Sequence, residues 1–135
     1  MDSEASQNET LAGVKVLVID DSNTIRRSAE IFLLQAQATV ILAEDGFEAL
    51  SKVIDHQPDI IFIDIVMPRL DGYQACALIR RNPQFSATPV IMLSSKDSLF
   101  DRARGRLVGS SEYLTKPFTR DGLLQSVNAQ LHRGA

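Results

Sequence analysis

The 135 residues of this chain have few of the features that mark specialised classes of protein. Cys76 is the only cysteine, so no disulfide can form within the chain, and a reducing compartment such as the cytoplasm is expected. Neither His56 nor His132 has a cysteine or histidine at metal-ligand spacing, which argues against a zinc site. No apolar run approaches the ~18 residues that a membrane span requires. A net charge of -3 argues against a nucleic-acid-binding surface.

The chain has the length and composition of one ordinary domain. Hydrophobic residues make up 44% of it and charged residues 23%, which is close to the average for globular proteins. Residues 1–12 are polar and acidic, with neither the basic start nor the apolar block of a signal peptide. We therefore expect a flexible tail over residues 1–13, one domain over residues 14–133 and a short tail at 134–135.

Strand-like and helix-like patterns alternate along the domain. Short runs rich in Val and Ile, apolar on both faces, occur near 15–20, 39–43, 59–64, 89–94 and 112–115. Apolar stripes at helical spacing lie between and after them: Ile25, Ala29, Phe32, Leu33 and Ala36; Phe47, Leu50, Val53 and Ile54; Ala75, Cys76 and Ile79; Leu99, Ala103 and Leu107; Leu123, Leu124, Val127 and Leu131. The pattern predicts an α/β fold, a five-stranded parallel sheet with helices on both faces. The common doubly wound strand order is 2-1-3-4-5.

Four of the predicted strands stop at polar residues of the kinds that phosphoryl transfer uses. The first ends at Asp20 and Asp21, the third at Asp64, the fourth at Ser94 and the fifth at Lys116. In a doubly wound sheet the carboxyl ends of the first and third strands border the ligand crevice. The order therefore places the three carboxylates side by side, with the hydroxyl and the ammonium group flanking them.

Carboxylates that meet at one sheet edge repel one another, and a divalent cation resolves the repulsion. Oxygen ligands with open positions suit Mg²⁺. One carboxylate can then serve as a nucleophile, since aspartyl-phosphates form in proteins. Lys116 and Ser94 are residue types that neutralise and position a phosphoryl group. Each residue alone also has an ordinary explanation as a turn or helix-cap residue, with Thr119 as the cap after Lys116; their combination predicts a magnesium site containing a nucleophile.

Four segments make the chain similar to a known family. They are Val-Ile-Asp-Asp-Ser at 18–22, Asp-Ile-Val-Met-Pro-Arg-Leu-Asp-Gly at 64–72, Val-Ile-Met-Leu-Ser-Ser at 90–95 and Tyr-Leu-Thr-Lys-Pro-Phe at 113–118. The chain resembles bacterial response-regulator receiver domains of the chemotaxis type, with a flavodoxin-like fold, from about residue 15 to 132. Segments 69–79 and 94–103 are most similar to stand-alone receivers of type IV pilus twitching-motility systems.

The resemblance assigns a role to each residue of the metal site. Asp64 would accept a phosphoryl group from a histidine kinase or a phosphotransfer domain. Asp21 would bind Mg²⁺ directly, Asp20 would act largely through water, and the Val66 carbonyl would complete the protein ligands. The domain would be an enzyme only in assisting its own phosphorylation and dephosphorylation.

The resemblance also assigns residues around the phosphoryl group. Ser94 and Lys116 would hold its oxygens, and Tyr113 would change rotamer as Ser94 moves toward it. In this family the peptide bond that corresponds to Lys116–Pro117 is usually cis.

Only three residues follow the last predicted helix, so we expect no output domain. The signal would leave by a change in which motility or signalling partner binds the face formed by the fourth helix, fifth strand and fifth helix. An acidic partner would contact that face through four residues: Arg102, Arg104, Arg106 and Tyr113. A solvated basic face on a loose helix is the alternative.

Two other functions stay open. A magnesium phosphohydrolase with an Asp nucleophile would use similar residues, although such enzymes resemble one another in having Asp-x-Asp after the first strand, whereas Asp20 and Asp21 are adjacent. A receiver-like scaffold that acts without phosphorylation is the other, but such proteins usually lack part of the site.

Overall fold

The computed structural model describes residues 10–95, 103–104 and 106–132. The strands are β1 Lys15–Ile19, β2 Thr39–Ala43, β3 Ile60–Asp64, β4 Val90–Ser94 and β5 Glu112–Thr115. The helices are α1 Asn23–Gln35, α2 Gly46–His56, α3 Gly72–Arg81, a 3-10 turn at Pro83–Phe85 and a C-terminal helix, Arg120–His132. Residues 103, 104, 106 and 107 are also helical and belong to the predicted fourth helix. The predicted strands are confirmed to within one residue at each end.

The five strands form one parallel sheet in the order β2-β1-β3-β4-β5. This confirms the doubly wound α/β fold. Ile19 of β1 pairs with Ile63 of β3. Asp20 and Asp64 come next along each chain segment, so the register brings them together at the carboxyl edge of the sheet. The crevice therefore lies where the strand order reverses.

Helices cover both faces of the sheet because alternate residues of its strands point to opposite sides. Ile61 and Ile63 of β3 pack into the core under α2 and α3. Ile60 and Phe62 of the same strand pack into the core under α1 and the C-terminal helix. All four side chains are fully buried, and each contributes about 1.5–3 kcal/mol of hydrophobic stabilisation relative to exposure. The central strands thus anchor the residues that follow them.

Polar caps start the helices that border the crevice. The side chains of Ser22, Asp45 and Asp71 accept backbone N–H groups at the starts of α1, α2 and α3, respectively. Thr119 accepts the Gly122 N–H at 2.9 Å, so it caps the C-terminal helix as the cap explanation predicted. Each cap satisfies a donor that the helix itself cannot pair, which is worth about 1 kcal/mol.

The predicted buried face of α2 is wrong in two positions. Phe47 and Ile54 are 55% and 60% exposed, and the helix instead buries Gly46, Ala49 and Val53. The reason is a close approach: a Cβ on Gly46 would lie 2.6 Å from the carbonyl oxygen of Leu70, in the loop after β3. The small face of α2 must therefore turn inward.

The predicted fourth helix is helical at its described positions, but its apolar stripe does not face the core. Leu107 is 86% exposed, and Ala103 is exposed as well. Leu99, the remaining member of that stripe, lies outside the described residues. Hydrophobic spacing alone cannot distinguish a core-facing stripe from apolar residues on an exposed face.

The N-terminal boundary of the packed chain lies before the predicted residue 14. Leu11 is 3% exposed, and its N–H donates to the carbonyl of Ala36 at 2.7 Å. Cys76 is a buried free cysteine on α3, in the apolar stripe that the sequence predicted. Among the described helices, none combines the length and apolar character needed to cross a bilayer.

Candidate functional site

Three carboxylates meet at the carboxyl edge of the sheet. One oxygen from each of Asp20, Asp21 and Asp64 lies within 4.8 Å of the other two. Asp20 is fully buried and Asp64 is 4% exposed, whereas Asp21 is exposed to solvent. The structure therefore brings together the three acidic residues that the sequence placed at strand ends. Carboxylate oxygens at this spacing fit a hard divalent cation such as Mg²⁺.

Lys116 lies among these carboxylates. Its ammonium nitrogen is 3.0 Å from Oδ1 of Asp64 and 3.2 Å from Oδ2 of Asp20, and its side chain is 15% exposed. One cation thus pairs with the two most buried carboxylates. The following peptide bond, Lys116–Pro117, is cis.

The pKa values of the site reflect burial and charge pairing. Burial is the largest effect on the pKa of Asp64 and raises it; the contact with Lys116 lowers it, and the charge on Asp20 raises it. Together these effects raise the pKa of Asp64 from 3.8 to about 6. Burial alone would lower the pKa of Lys116, but its contacts with Asp64 and Asp20 outweigh that effect and raise it. Without a further cation, we therefore expect Asp64 to take up a proton at a higher pH than an ordinary aspartate does.

Backbone and side-chain contacts hold the β1–α1 loop in place. Oδ1 of Asp20 accepts the Ser22 N–H at 2.8 Å, and the carbonyl of Asp20 accepts a guanidinium N–H from Arg26 at 2.6 Å. Arg26 also contacts Asn23. Its side chain is 11% exposed. Sequence reasoning missed Arg26, because nothing in the helical period of α1 shows that this arginine turns back toward the loop.

One hydrogen bond to Asp64 and one to the next residue, Ile65, fix the end of β3 from its own side of the crevice. Its Oδ1 accepts the Val66 N–H at 3.4 Å, and the Gly72 N–H donates to the Ile65 carbonyl at 2.9 Å. A Cβ on Gly72 would lie 2.3 Å from the Asp64 carbonyl oxygen. Only glycine therefore fits where α3 begins against the strand that carries Asp64.

The crevice above the carboxylates has a volume of about 520 Å³. Ser94, at the end of β4, is 4% exposed and lines it. The other lining residues are Asp21, Asp64, Ile65, Val66, Leu93, Ser95 and Lys116. The predicted hydroxyl, ammonium group and two of the three carboxylates thus face one open space, and Asp20 lies beneath it.

The predicted partner face is only partly described. Tyr113 on β5 is half-buried, and its hydroxyl is 2.8 Å from the hydroxyl of Tyr73 on α3. The guanidinium carbon of Arg104 lies 4.3 Å from the centre of the Tyr73 ring, and Arg106 is exposed. Arg102 lies outside the described residues. Sequence reasoning missed Tyr73, although it directly follows the Asp-Gly pair that starts α3.

Known proteins match this chain over most of its length. Residues 16–128 match the model of the response regulator receiver domain. Protein PilG of Pseudomonas aeruginosa is 61% identical over 119 residues, which cover 88% of each chain. Response regulator MprA of Mycobacterium ulcerans is 38% identical over 120 residues, 89% of this chain and 51% of MprA. The chain therefore spans most of PilG and about half of MprA.

Solved structures agree in fold. Chemotaxis protein CheY4 of Vibrio cholerae superposes with a TM-score of 0.84 at 35% identity, covering 87% of this chain and 98% of CheY4. The Francisella response regulator 1452 receiver domain gives 0.82 at 36% identity, with coverage of 91% and 100%. With the parallel sheet and the carboxylates at its carboxyl edge, these matches show that the chain belongs to the response regulator receiver domain family.

Proposed function

We propose that this receiver accepts a phosphoryl group on Asp64 and signals by a phosphorylation-dependent change in partner binding. The observation that carries the proposal is the pairing of Lys116 with Asp64 and Asp20 inside a cluster of three carboxylates. Asp64 is the nucleophile of choice because it lines the open crevice, whereas Asp20 is fully buried below it. Asp21 is exposed and remains available to a cation.

The donor is the phosphohistidine of a histidine kinase or a phosphotransfer domain. An oxygen of Asp64 forms a bond to phosphorus, the phosphorus–nitrogen bond breaks, and the imidazole leaves and takes up a proton. Lys116, already within 3.0 Å of Asp64, neutralises negative charge on the transferring group. Ser94 lines the same crevice and provides a hydroxyl that can bind a phosphoryl oxygen.

Mg²⁺ is the cofactor that fits the donor set. Asp20, Asp21 and Asp64 offer oxygen ligands within 4.8 Å of one another, and the Val66 carbonyl is the fourth protein ligand implied by the family resemblance. Bound Mg²⁺ would supply positive charge that offsets the negative charge on the transferring phosphoryl oxygens. Asp20 holds the loop that carries Asp21, through its contacts with Ser22 and Arg26.

The proposed pathway is supported by the relatives, and the proposed partner chemistry by the surface around Tyr113. Similarity to PilG, and to stand-alone receivers of type IV pilus systems, supports a role in twitching motility or chemotaxis-like control within the cytoplasm. Tyr113 and Arg106 line the same surface depression of about 310 Å³, together with Ser110, Ser111 and Glu112. Arg106 offers a positive charge there to an acidic segment of a motility or signalling protein, and Glu112 restricts where that segment can lie. No catalytic turnover beyond the receiver's own phosphorylation and dephosphorylation is proposed.

Intact mass spectrometry tests the proposal. The protein is incubated with Mg²⁺ and a small phosphodonor such as acetyl phosphate, and we expect one added phosphoryl group. Asp64→Asn should abolish the adduct. Asp55→Asn makes the same chemical change at an exposed position of α2 and should retain it.

Two outcomes would overturn the proposal. Failure of the wild-type chain to gain a phosphoryl group would favour a scaffold that works without phosphorylation. Sustained release of phosphate from an ester substrate, lost in Asp64→Asn, would favour a phosphohydrolase. Omission of Mg²⁺ should slow adduct formation, which separates the metal-dependent reaction from adventitious modification.

A further inference from the structure

Two tyrosines on different elements share a hydrogen bond. Tyr73 belongs to the first turn of α3 and is 4% exposed, whereas Tyr113 lies on β5 and is half-buried. Their hydroxyl oxygens are 2.8 Å apart. The Tyr113 ring also packs against the core beneath α2 and α3. Tyr113 is therefore hydrogen-bonded to a residue that lies outside the carboxylate cluster.

We propose that Tyr73 is a positioning residue for Tyr113. Its hydroxyl holds the Tyr113 side chain in the half-buried position, and its backbone links Tyr113 to the first turn of α3, which packs on Asp64. The readout part of this proposal rests on the proposed phosphoacceptor function. The positioning part rests on the hydrogen bond and the packing alone.

The link to Asp64 runs through one peptide unit. Gly72, the residue before Tyr73, lies so close to β3 that a Cβ would be 2.3 Å from the Asp64 carbonyl oxygen. Its N–H also donates to the carbonyl of Ile65 at 2.9 Å. A displacement of the backbone at Asp64 must therefore move the start of α3, because close-packed backbone cannot absorb it locally. Tyr73 carries that displacement to Tyr113.

The same tyrosine also contacts the fourth helix. Arg104 stacks its guanidinium group on the Tyr73 ring at 4.3 Å. A partner carboxylate that attracted Arg104 would compete with this cation–π contact. Binding at the surface and the position of Tyr73 are therefore thermodynamically linked, and the linkage acts in both directions.

Closer to the C-terminal end of α3, two side chains contact the segment before β5, at Val108 and Gly109. The Cys76 thiol lies 3.5 Å from the Val108 carbonyl, and the Arg80 guanidinium donates to the Gly109 carbonyl at 2.9 Å. These contacts hold the segment whose far end is β5. Tyr73 thus belongs to a continuous contact surface between α3 and the chain that leads to Tyr113.

Fluorine NMR can test the positioning role with two resonances. The chain contains two tyrosines and no tryptophan, so 3-fluorotyrosine labelling gives one signal for Tyr73 and one for Tyr113. Tyr73→Phe keeps the buried ring and removes only the hydroxyl. We expect the Tyr113 signal to move toward that of a solvent-exposed tyrosine, with its H₂O-to-D₂O isotope shift increased at least twofold.

The reciprocal variant guards against a folding defect. Tyr113→Phe breaks the same hydrogen bond from the other side and should shift the Tyr73 signal, while thermal unfolding shows whether each variant is folded. A Tyr113 signal that stays at its wild-type position and exposure in folded Tyr73→Phe would overturn the positioning role.

Phosphorylation tests the readout. In the wild-type protein the Tyr113 signal should move when Asp64 is phosphorylated, and Tyr73→Phe should reduce that movement at least twofold at equal occupancy by intact mass. An undiminished movement would overturn the link through α3. The comparison of unphosphorylated wild type with Tyr73→Phe needs no phosphoryl transfer. If the chain takes up no phosphoryl group, the proposed function is refuted, and the positioning role is still decided by that comparison.

Discussion

The ammonium nitrogen of Lys116 lies 3.0 Å from Oδ1 of Asp64. The same nitrogen is 3.2 Å from Oδ2 of Asp20, so one cation serves as counter-charge for two buried carboxylates. This arrangement offsets part of their mutual repulsion and leaves the cluster with excess negative charge. The stability of the metal-free protein should therefore depend on Lys116 and on pH, and added Mg²⁺ should increase it.

Removal of the Lys116 charge should destabilise the metal-free protein. Lys116→Met leaves Asp20 and Asp64 buried without their counter-charge, and breaking a buried pair in this way costs about 3 kcal/mol. Urea unfolding with a chelator at pH 7 measures the loss. Added Mg²⁺ should narrow the difference from wild type, because the cation replaces part of the missing positive charge.

A surface lysine provides the matched control for that variant. Lys52 on α2 lies 4.0 Å from Glu48 and is 33% exposed. Lys52→Met should cost less than about 0.5 kcal/mol, since helical surface pairs contribute little. Equal losses for Lys52→Met and Lys116→Met would show that the cluster does not depend on its lysine.

The Asp64 carboxyl should make stability depend on pH. Its pKa in the folded protein is raised from 3.8 to about 6, so its contribution is fully present below pH 3.8 and is lost as the pH rises through 6. Relative to Asp64→Asn, which does not titrate, metal-free wild type should therefore lose about 1–2 kcal/mol between pH 4 and 7, after allowance for solvent screening. Urea unfolding of both proteins at several pH values checks this; a constant difference would contradict the raised pKa.

Mg²⁺ affinity should fall in acid for the same reason. A metal ligand must be deprotonated, and the pKa of Asp64 is about 6. Below that pH the apparent dissociation constant should rise about tenfold per pH unit, the slope expected for one displaced proton. Calorimetric titration between pH 5 and 8 would measure it, and calcium titration in parallel would show whether the same site prefers the smaller cation. A dissociation constant independent of pH in this range would exclude Asp64 as a ligand.

The fold and the carboxylates were accessible from sequence because local patterns encode them. Short Val- and Ile-rich runs mark buried strands, and the residues that end them must meet at one edge once all strands are parallel. Asp64 and Lys116 could thus be placed together although 52 residues separate them. The parallel strand order was enough to predict that Asp64 and Lys116 lie close together, without knowledge of individual contacts.

Contacts that depend on how the helices pack could not be predicted from the sequence in the same way. Phe47 has the spacing of a core residue, yet the approach of Leu70 to Gly46 turns the other face of α2 inward. Arg26 and Tyr73 acquire their partners only when α1 and α3 are docked on the sheet. Residue type and spacing do not specify these rotations, because several helix faces of similar polarity compete for the same core.

The glycine that starts α3 gives a further prediction. Gly72→Ala would place a Cβ 2.3 Å from the Asp64 carbonyl oxygen and 2.9 Å from Cα of Ile65, so the helix start or the strand end must shift. Overpacking against backbone costs about 1–3 kcal/mol, and we expect a loss in the upper part of that range. Phosphoryl uptake by Asp64 should also slow, since its backbone moves.

Gly122 supplies the comparison for this variant. It lies in the first turn of the C-terminal helix, where, among the described residues, an added Cβ would meet only the Thr119 hydroxyl, at 3.1 Å. Ala is favoured over Gly in helices by about 1 kcal/mol, which offsets the mild crowding. Urea unfolding should therefore show Gly122→Ala close to wild type and Gly72→Ala clearly weaker. If the two variants were equally stable, the close approach of α3 to Asp64 would not constrain the fold, and the route from Asp64 through Gly72 to Tyr73 would lose its physical basis.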